Sequence, residues 1–233
     1  MELRALLFDV FGTLVDWRGS LIDLAERDVG GEADWPGLVD AWRREYQPAM
    51  NRLVAAVDSG SRSWRDLDDL QAETLDAVLA ARGLALEAPH RRALVAGWRR
   101  LHPWPDTAPG LLALRERHIT ATLSNGHMGL LADLMRFGDL RIDVVLSAQL
   151  ADSYKPAPAV YRSALRLLEC EPEQAMLVAC HAGDLRAAAA LGLRTAFVRR
   201  PQEWGPAGGD APPAEIAGLI VVDSLVELAQ RLG

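Results

Sequence analysis

Cysteine is scarce in this chain: 233 residues hold only Cys170 and Cys180. Two cysteines at irregular spacing exclude a disulfide framework or a zinc-ligand set. Long apolar runs are missing too, and none approaches the roughly 20 residues of a membrane span. Positive charge is not in excess. The formal net charge is −7, so no long-range attraction draws the surface to nucleic acid or to an anionic membrane. No internal repeat or low-complexity tract interrupts the sequence. The chain opens directly on a strand pattern with no signal-peptide pattern, and a reducing cytoplasm is the expected location. What remains is an ordinary globular composition, half hydrophobic and 24% charged. It suffices for the core of one α/β domain with a modest insertion.

One stretch organises the rest, Arg4 to Trp17, RALLFDVFGTLVDW. The apolar run Ala5-Leu6-Leu7-Phe8 has the length of a buried strand. It meets one acid, Asp9, and then Gly12 and Thr13. An aspartate at the carboxyl end of a buried strand lies where open α/β sheets place their ligands. Such a carboxylate can act as a nucleophile, splitting one hard step into two.

After Trp17 the pattern turns helical. Ser20 is the expected N-cap of a helix to Val29, ended by Gly30-Gly31. Pro36 suits a first turn of the segment 37–57, which Pro48 should bend or break. Ser59-Gly60-Ser61 reads as a turn, 64–81 as an amphipathic helix closed by Gly83, and 89–100 as one more. Residues 16–100 are therefore expected as an all-helical cap over the ligand edge of the sheet. Residues 1–15 and 101–233 are expected to form the discontinuous core. After the stiff run Pro103, Pro105 and Pro109, helices and strands alternate. Strands are expected at 119–123, 143–147, 175–179, 194–198 and, at an edge, 219–222. Helices are expected at 110–117, 128–136, 159–168 and 185–191, with a last one capped by Ser224. Alternation of this kind implies an α/β fold, a Rossmann-like doubly wound parallel sheet. The Pro/Gly-rich segment 201–213 reads as a loop.

In a parallel sheet all strand carboxyl ends share one edge. The ends here carry Asp9, then Ser124-Asn125-Gly126, then Tyr154-Lys155-Pro156, then Ala179-Cys180-His181-Ala182-Gly183-Asp184. Any one of these signals is weak, but four in this order are specific. Over nearly its whole length the sequence resembles the haloacid dehalogenase superfamily, and within it the type II L-2-haloacid dehalogenases. The family's opening motif is matched by Asp9-Val10-Phe11-Gly12-Thr13-Leu14. Its cap arginine falls on Arg43, and its later motifs fall on Ser124-Asn125-Gly126, on Tyr154-Lys155-Pro156 with Tyr161, and on Asp184.

The resemblance implies hydrolysis of short 2-haloalkanoates to 2-hydroxy acids. Asp9 attacks the carbon bearing the halogen, and water then hydrolyses the resulting ester. Lys155 would keep Asp9 ionised, Asp184 would position Lys155 and polarise the water, and Thr13 would steady Asp9. Ser124 and backbone amides would hold the substrate carboxylate. Arg43 and Asn125 would face the halide, with Phe11, Tyr161, His181 and Trp17 as further pocket candidates. The scheme needs no metal and no cofactor; its partner is a small halogenated carboxylate. Homodimers are common among look-alikes, but no stretch here demonstrates one.

Position 11 separates two branches of the superfamily. Its phosphatases resemble one another in carrying a second aspartate there, which protonates a leaving alcohol and whose neighbourhood helps hold magnesium. Phe11 cannot transfer a proton, and a halide needs none. A magnesium-dependent phosphatase is the alternative reading, and a catalytically silent binding module on the same scaffold is another. The fourth motif departs from better-known members: Ala179 replaces a serine, His181 an asparagine, and Gly183 an aromatic residue. A hydrogen-bond donor in a tight halide cradle would favour a small, strongly accepting leaving group, so fluoroacetate is a candidate substrate. Asp184 also reads as an N-cap for a helix starting at Leu185. A Cys180-His181 nucleophile pair lacks an evident third orienting group.

Overall fold

The computed structural model describes residues 1–233. Seven strands form: β1 (Ala5–Phe8), β2 (Val15–Asp16), β3 (His102–Pro103), β4 (Ile119–Thr122), β5 (Ala175–Ala179), β6 (Arg194–Val198) and β7 (Ile220–Val222). Five of them make one parallel sheet in the order β4-β1-β5-β6-β7. β1 is an interior strand, second in that order, and every one of its residues is fully buried. An unbroken apolar run with no polar alternation is the pattern of a strand covered on both faces. The chain leaves β1 for β4 on one side and returns to β5 on the other. The winding direction therefore reverses at β1, and a crevice opens at its carboxyl end. Asp9 is the first residue beyond β1.

Residues 143–147, expected as a strand, do not form one. They run beside β4 with only isolated bridges, Ala121 to Val144 and Ser124 to Ser147. Backbone bonds persist at Thr120, Thr122 and Ser124, but threonine side chains take groups between them. Thr122 Oγ1 accepts from the Leu146 amide at 2.9 Å and donates to the Leu146 carbonyl at 2.8 Å. Asp143 Oδ2 accepts from both the amide and the hydroxyl of Thr120. Side-chain bonds of this kind compete with regular pairing.

The helical segment begins one turn earlier than expected. α1 (Trp17–Leu24) is capped by Asp16, whose carboxylate accepts from the Gly19 amide. Ser20 is not a cap. Its hydroxyl donates to the Asp16 carbonyl and accepts from the His102 amide at 2.8 Å. A five-residue π-turn, Ala25–Val29, follows and ends at Gly30. α2 (Trp35–Asp58) runs unbroken through Pro48, with Pro36 in its first turn. An internal proline costs about 3 kcal/mol. Burial of Tyr46, Met50 and Leu53 around it, at roughly 1.5–3 kcal/mol each, outweighs that. α3 (Leu67–Ala81) starts three residues later than expected because Asp66 caps it. α4 (Ala88–Gly97) completes the segment, and no helix is long and apolar enough to cross a membrane. The two ends of residues 16–100 meet in the antiparallel ribbon of β2 and β3.

α5 (Thr107–Arg115), α6 (Met128–Phe137), α7 (Pro158–Leu167), α8 (Ala182–Ala189) and α9 (Leu225–Leu232) pack around the sheet. α5 lies against α9, and α8 against β5 and β6. α8 begins three residues earlier than expected, so Asp184 lies in its first turn rather than capping it. Asp210 supplies the cap from the 201–213 loop, accepting from the Ala182 amide at 3.0 Å.

Arg200 ties the return from the helical segment to the Asp9 loop. Its Nε donates to the Thr13 carbonyl at 2.9 Å, and its two Nη atoms take both oxygens of Asp106. Removing one partner of a buried pair strands the other charge. Asp106→Ala should lower the free energy of unfolding by about 3 kcal/mol, read as a lower urea midpoint at unchanged slope. A loss under about 1 kcal/mol would show the pair to behave like a surface bridge.

Candidate active site

Gly12 has φ +88°, a conformation in which a side chain is strained. A Cβ there would lie 2.4 Å from Glu203 Oε1. Glycine thus serves twice, letting the chain turn after β1 and leaving room for a buried carboxylate behind the turn. The turn aims Asp9 into a cleft of about 540 Å³.

Four groups contact the Asp9 carboxylate or its cation. Lys155 Nζ donates to Asp9 Oδ1 at 2.8 Å and to Asp184 Oδ2 at 2.5 Å. Thr13 Oγ1 donates to Asp9 Oδ2 at 2.8 Å and accepts from the Cys180 amide at 2.9 Å. His181 Nδ1 lies 3.0 Å from the same Oδ2. Tyr161 Oη donates to Asp184 Oδ1. Asp9, Lys155 and Asp184 are all nearly inaccessible, with side chains less than a tenth exposed.

Burial alone would raise the Asp9 pKa, but Lys155 and His181 outweigh it and hold the carboxyl well below the usual carboxylate range. Burial would lower Lys155, but Asp184 and Asp9 hold it above its ordinary value. Tyr161 is pushed up by burial and by Asp184, so it stays a donor. The cluster is therefore an ammonium clamped between two carboxylates, with the nucleophile candidate kept as an anion.

Arg43, on α2, faces Asp9 across the cleft and is 8% exposed. No carboxylate holds it. Its guanidinium carbon lies 4.1 Å from the Tyr46 ring centroid, 5.2 Å from Trp17 and 5.7 Å from Trp98. Aromatic faces attract a cation without consuming its N–H donors, and Nη1 has no hydrogen-bond partner. Phe11 packs edge-on against Trp98 and Tyr46 and forms part of the same wall.

The expected residues divide by position. Asp9, Phe11, Arg43, Asn125, Lys155, His181 and Asp184 line the cleft. Thr13, Ser124, Tyr161 and Trp17 stand behind it. Ser124 Oγ accepts from the Gly126 amide. Asn125 spends its amide on the Lys155 backbone, accepting from its N–H at 2.7 Å and donating to its carbonyl at 3.5 Å. Trp17 Nε1 donates to Glu203 Oε1 at 3.1 Å. Cys180 is buried, its thiol pushed up by burial.

Sequence reasoning missed Glu203, Tyr46 and Trp204. Tyr46 sits three residues after Arg43 on one helix face, a spacing that could have found it. Glu203 had no local signal; it comes from the loop at 201–213 and reaches the site only in three dimensions. Its Oε1 lies 2.9 Å from His181 Nε2.

Asp9, Cys180 and His181 offer ligand atoms within 4.8 Å of one another. The set does not suit magnesium, which demands oxygen ligands in octahedral array. It supplies one carboxylate, a thiol and an imidazole, and both Asp9 oxygens already take donors. The position two residues after Asp9, where a second carboxylate would stand, is an apolar ring.

The model of the haloacid dehalogenase-like hydrolase family matches residues 3–192. A curated relative, (S)-2-haloacid dehalogenase 1 of Pseudomonas sp. (strain CBS-3), is 31% identical over 209 residues, covering 87% of this chain and 88% of its own. A crystal structure of an L-2-haloacid dehalogenase is 42% identical, superimposes with a TM-score of 0.90, and covers 99% of this chain and 100% of its own. Another, of a defluorinating L-2-haloacid dehalogenase, is 38% identical with a TM-score of 0.89, covering 99% and 95%.

A carboxyl whose pKa is depressed in the fold adds stability above its unfolded pKa, about 3.9, and that stability is lost as pH falls. Asp9 should therefore contribute to acid sensitivity below about pH 4. In ¹³C NMR of labelled aspartate, Asp9 should titrate below the ordinary carboxylate range. Lys155→Met should raise that titration by about one to three units, the effect of a removed neighbouring cation. An unmoved titration would show that Lys155 does not hold the charge.

Proposed function

The chain belongs to the haloacid dehalogenase-like hydrolases, and we propose that it cleaves the carbon–halogen bond of short 2-haloalkanoic acids, fluoroacetate among them, through an ester on Asp9. One observation carries the reading. A buried aspartate is kept anionic by Lys155, and the neighbouring position that would supply a proton to a leaving alcohol is Phe11. An anion without an acid suits a leaving group that departs unprotonated.

Asp9 attacks C2 from the face opposite the halogen. The C2–O bond forms as the carbon–halogen bond breaks, and the electron pair leaves with the halide. Negative charge grows on the halogen in the transition state, and a fixed cation there lowers the barrier. Arg43 offers that cation, with an Nη1 donor unspent inside its aromatic cage. Amides at the end of β1 hold the substrate carboxylate, while Ser124, fully buried behind the cleft, supports the neighbouring loop through the Gly126 amide. Water then adds to the ester carbon of Asp9, passing its proton to Asp184. The product leaves as a 2-hydroxy acid, inverted at C2, and one proton accompanies each halide into solvent.

Fluoride is small and a strong acceptor, so it gains most from a close, unshared guanidinium. The defluorinating relative supports this extension. The geometry changes one part of the expectation: both ring nitrogens of His181 are engaged, by Asp9 and Glu203. The donor for fluoride is therefore Arg43. Gly183 leaves open space, since a Cβ there would touch nothing within 4 Å.

Fluoroacetate, chloroacetate, bromoacetate and both 2-chloropropionate enantiomers should be tested for halide release without added metal. Halide release is expected from all three acetates and from one enantiomer, unchanged by EDTA. Asp9→Asn should lower turnover by at least about a thousandfold while leaving binding. Release from chloroacetate but not from fluoroacetate would remove the defluorinating part. Dependence on magnesium would favour phosphatase chemistry instead.

A further inference from the structure

His181 has a carboxylate oxygen on each ring nitrogen. Nδ1 lies 3.0 Å from Asp9 Oδ2 and Nε2 lies 2.9 Å from Glu203 Oε1. A neutral imidazole has one donor and one acceptor, so one of these contacts would set a lone pair against a carboxylate. Only the doubly protonated ring satisfies both. Glu203 is 1% exposed and no Lys or Arg bridges it. Its other donors are Trp17 Nε1 and, at 3.6 Å, the Cys180 thiol. The buried carboxylate thus takes its contacting countercharge from His181, with Arg43 a more distant cation.

The two oxygens of Asp9 are not equivalent. Each carboxylate oxygen has about two lone-pair sites. Oδ2 takes two donors, Thr13 and His181, while Oδ1 takes only Lys155. The free lone pair is on Oδ1, which is therefore the attacking atom. In the ester, Oδ2 becomes the carbonyl oxygen and already has two donors aimed at it.

We propose that Glu203 is a positioning residue that keeps His181 as a donor to Asp9 Oδ2, so that Thr13 and His181 together hold the oxyanion formed when the Asp9 ester is hydrolysed. The inference rests on the ester-forming dehalogenase reading above. When water adds to the Asp9 carbon, the carbonyl electron pair moves onto Oδ2. As that pair returns, the bond to Oδ1 breaks and Oδ1 departs with the product, taking a proton to become its hydroxyl. Charge builds on Oδ2 in this step, whereas in the first step the carboxylate's charge is spent. The pair should therefore serve hydrolysis more than ester formation.

Other charged groups border the ring and bear on any pH test. Asp9 touches it from the end of β1, Glu203 from the 201–213 loop and the adjacent Cys180 thiol at 3.6 Å, while Asp184 on α8 and Asp210 line the same cleft. Lys155, Arg43 and Arg44 complete the lining of the cleft. Burial and these neighbours act oppositely on His181, and Cys180, Glu203 and Asp9 prevail, holding the ring well above the ordinary histidine range.

The test is single-turnover reaction with chloroacetate, following chloride release and the ester adduct by intact-protein mass. Glu203→Gln keeps an acceptor for Nε2 but removes the charge. Chloride release should change by no more than about threefold, while hydrolysis slows by about 10- to 100-fold, so the adduct accumulates. Its hydrolysis should also fall as pH rises through about 6.5–8, where an ordinary histidine loses its proton. The wild-type step should stay flat over that range. Circular dichroism checks the fold. If Glu203→Gln does not fold, His181→Asn, at a ring 27% exposed, should give the same accumulation. Equal slowing of both steps with an unmoved pH profile would make Glu203 merely structural and overturn the proposal. Wild-type halide release with no adduct at any time would overturn the ester reading itself, and the proposal with it.

Discussion

The site depends on one ammonium held between two buried carboxylates. Lys155 reaches Asp9 and Asp184 at hydrogen-bond distance, and all three side chains are shut away from water. Two carboxylates cannot both stay ionised in a dry crevice without a cation between them. The rest of the pocket repeats this rule. Glu203 is matched by His181, and Arg43 waits in an aromatic cage with no carboxylate of its own. The positive charge without a paired carboxylate lines the same cleft as Asp9. Charge in the cleft is therefore asymmetric, with an anion held at Asp9 and a cation without a carboxylate partner at Arg43.

The fold serves that arrangement. Reversal of the winding at β1 opens the crevice, and Gly12 turns the chain so that Asp9 faces it. The helical segment brings Arg43, Tyr46 and Gln47 over the opening from α2. Arg200 ties the loop carrying Thr13 to Asp106, so the support of Asp9 is braced by the core and does not rest on the helical segment.

Much of this was legible in the sequence, for physical reasons that differ by residue. Asp9, Asn125 and Asp184 could be placed together because each follows a buried apolar strand, and parallel strands bring such ends to one edge; Lys155 follows segment 143–147, which runs beside β4 without forming a strand. Arg43 needed the family resemblance, since a helical arginine alone has no signal. The segment 143–147 misled because its apolar pattern is that of a strand, while Thr120 and Thr122 capture its backbone through their side chains. Ser20 misled because a serine inside a helix and one at its start look alike until Asp16 is seen to take the cap. Glu203 was invisible, since its partners Trp17 and His181 lie 186 and 22 residues away along the chain. The setting of His181 follows from it: of the two places open to that residue, donor in the asparagine's stead or contact with the halide, its ring nitrogens lie against Asp9 and Glu203.

The central claim is that an oxygen of Asp9 enters the product and water replaces it. A single turnover in water enriched in heavy oxygen, followed by mass analysis of the peptide carrying residue 9, tests this directly. The label is expected in the Asp9 side chain, with the new hydroxyl of the product unlabelled. Label appearing at once in the product hydroxyl, with the side chain unlabelled, would contradict the account.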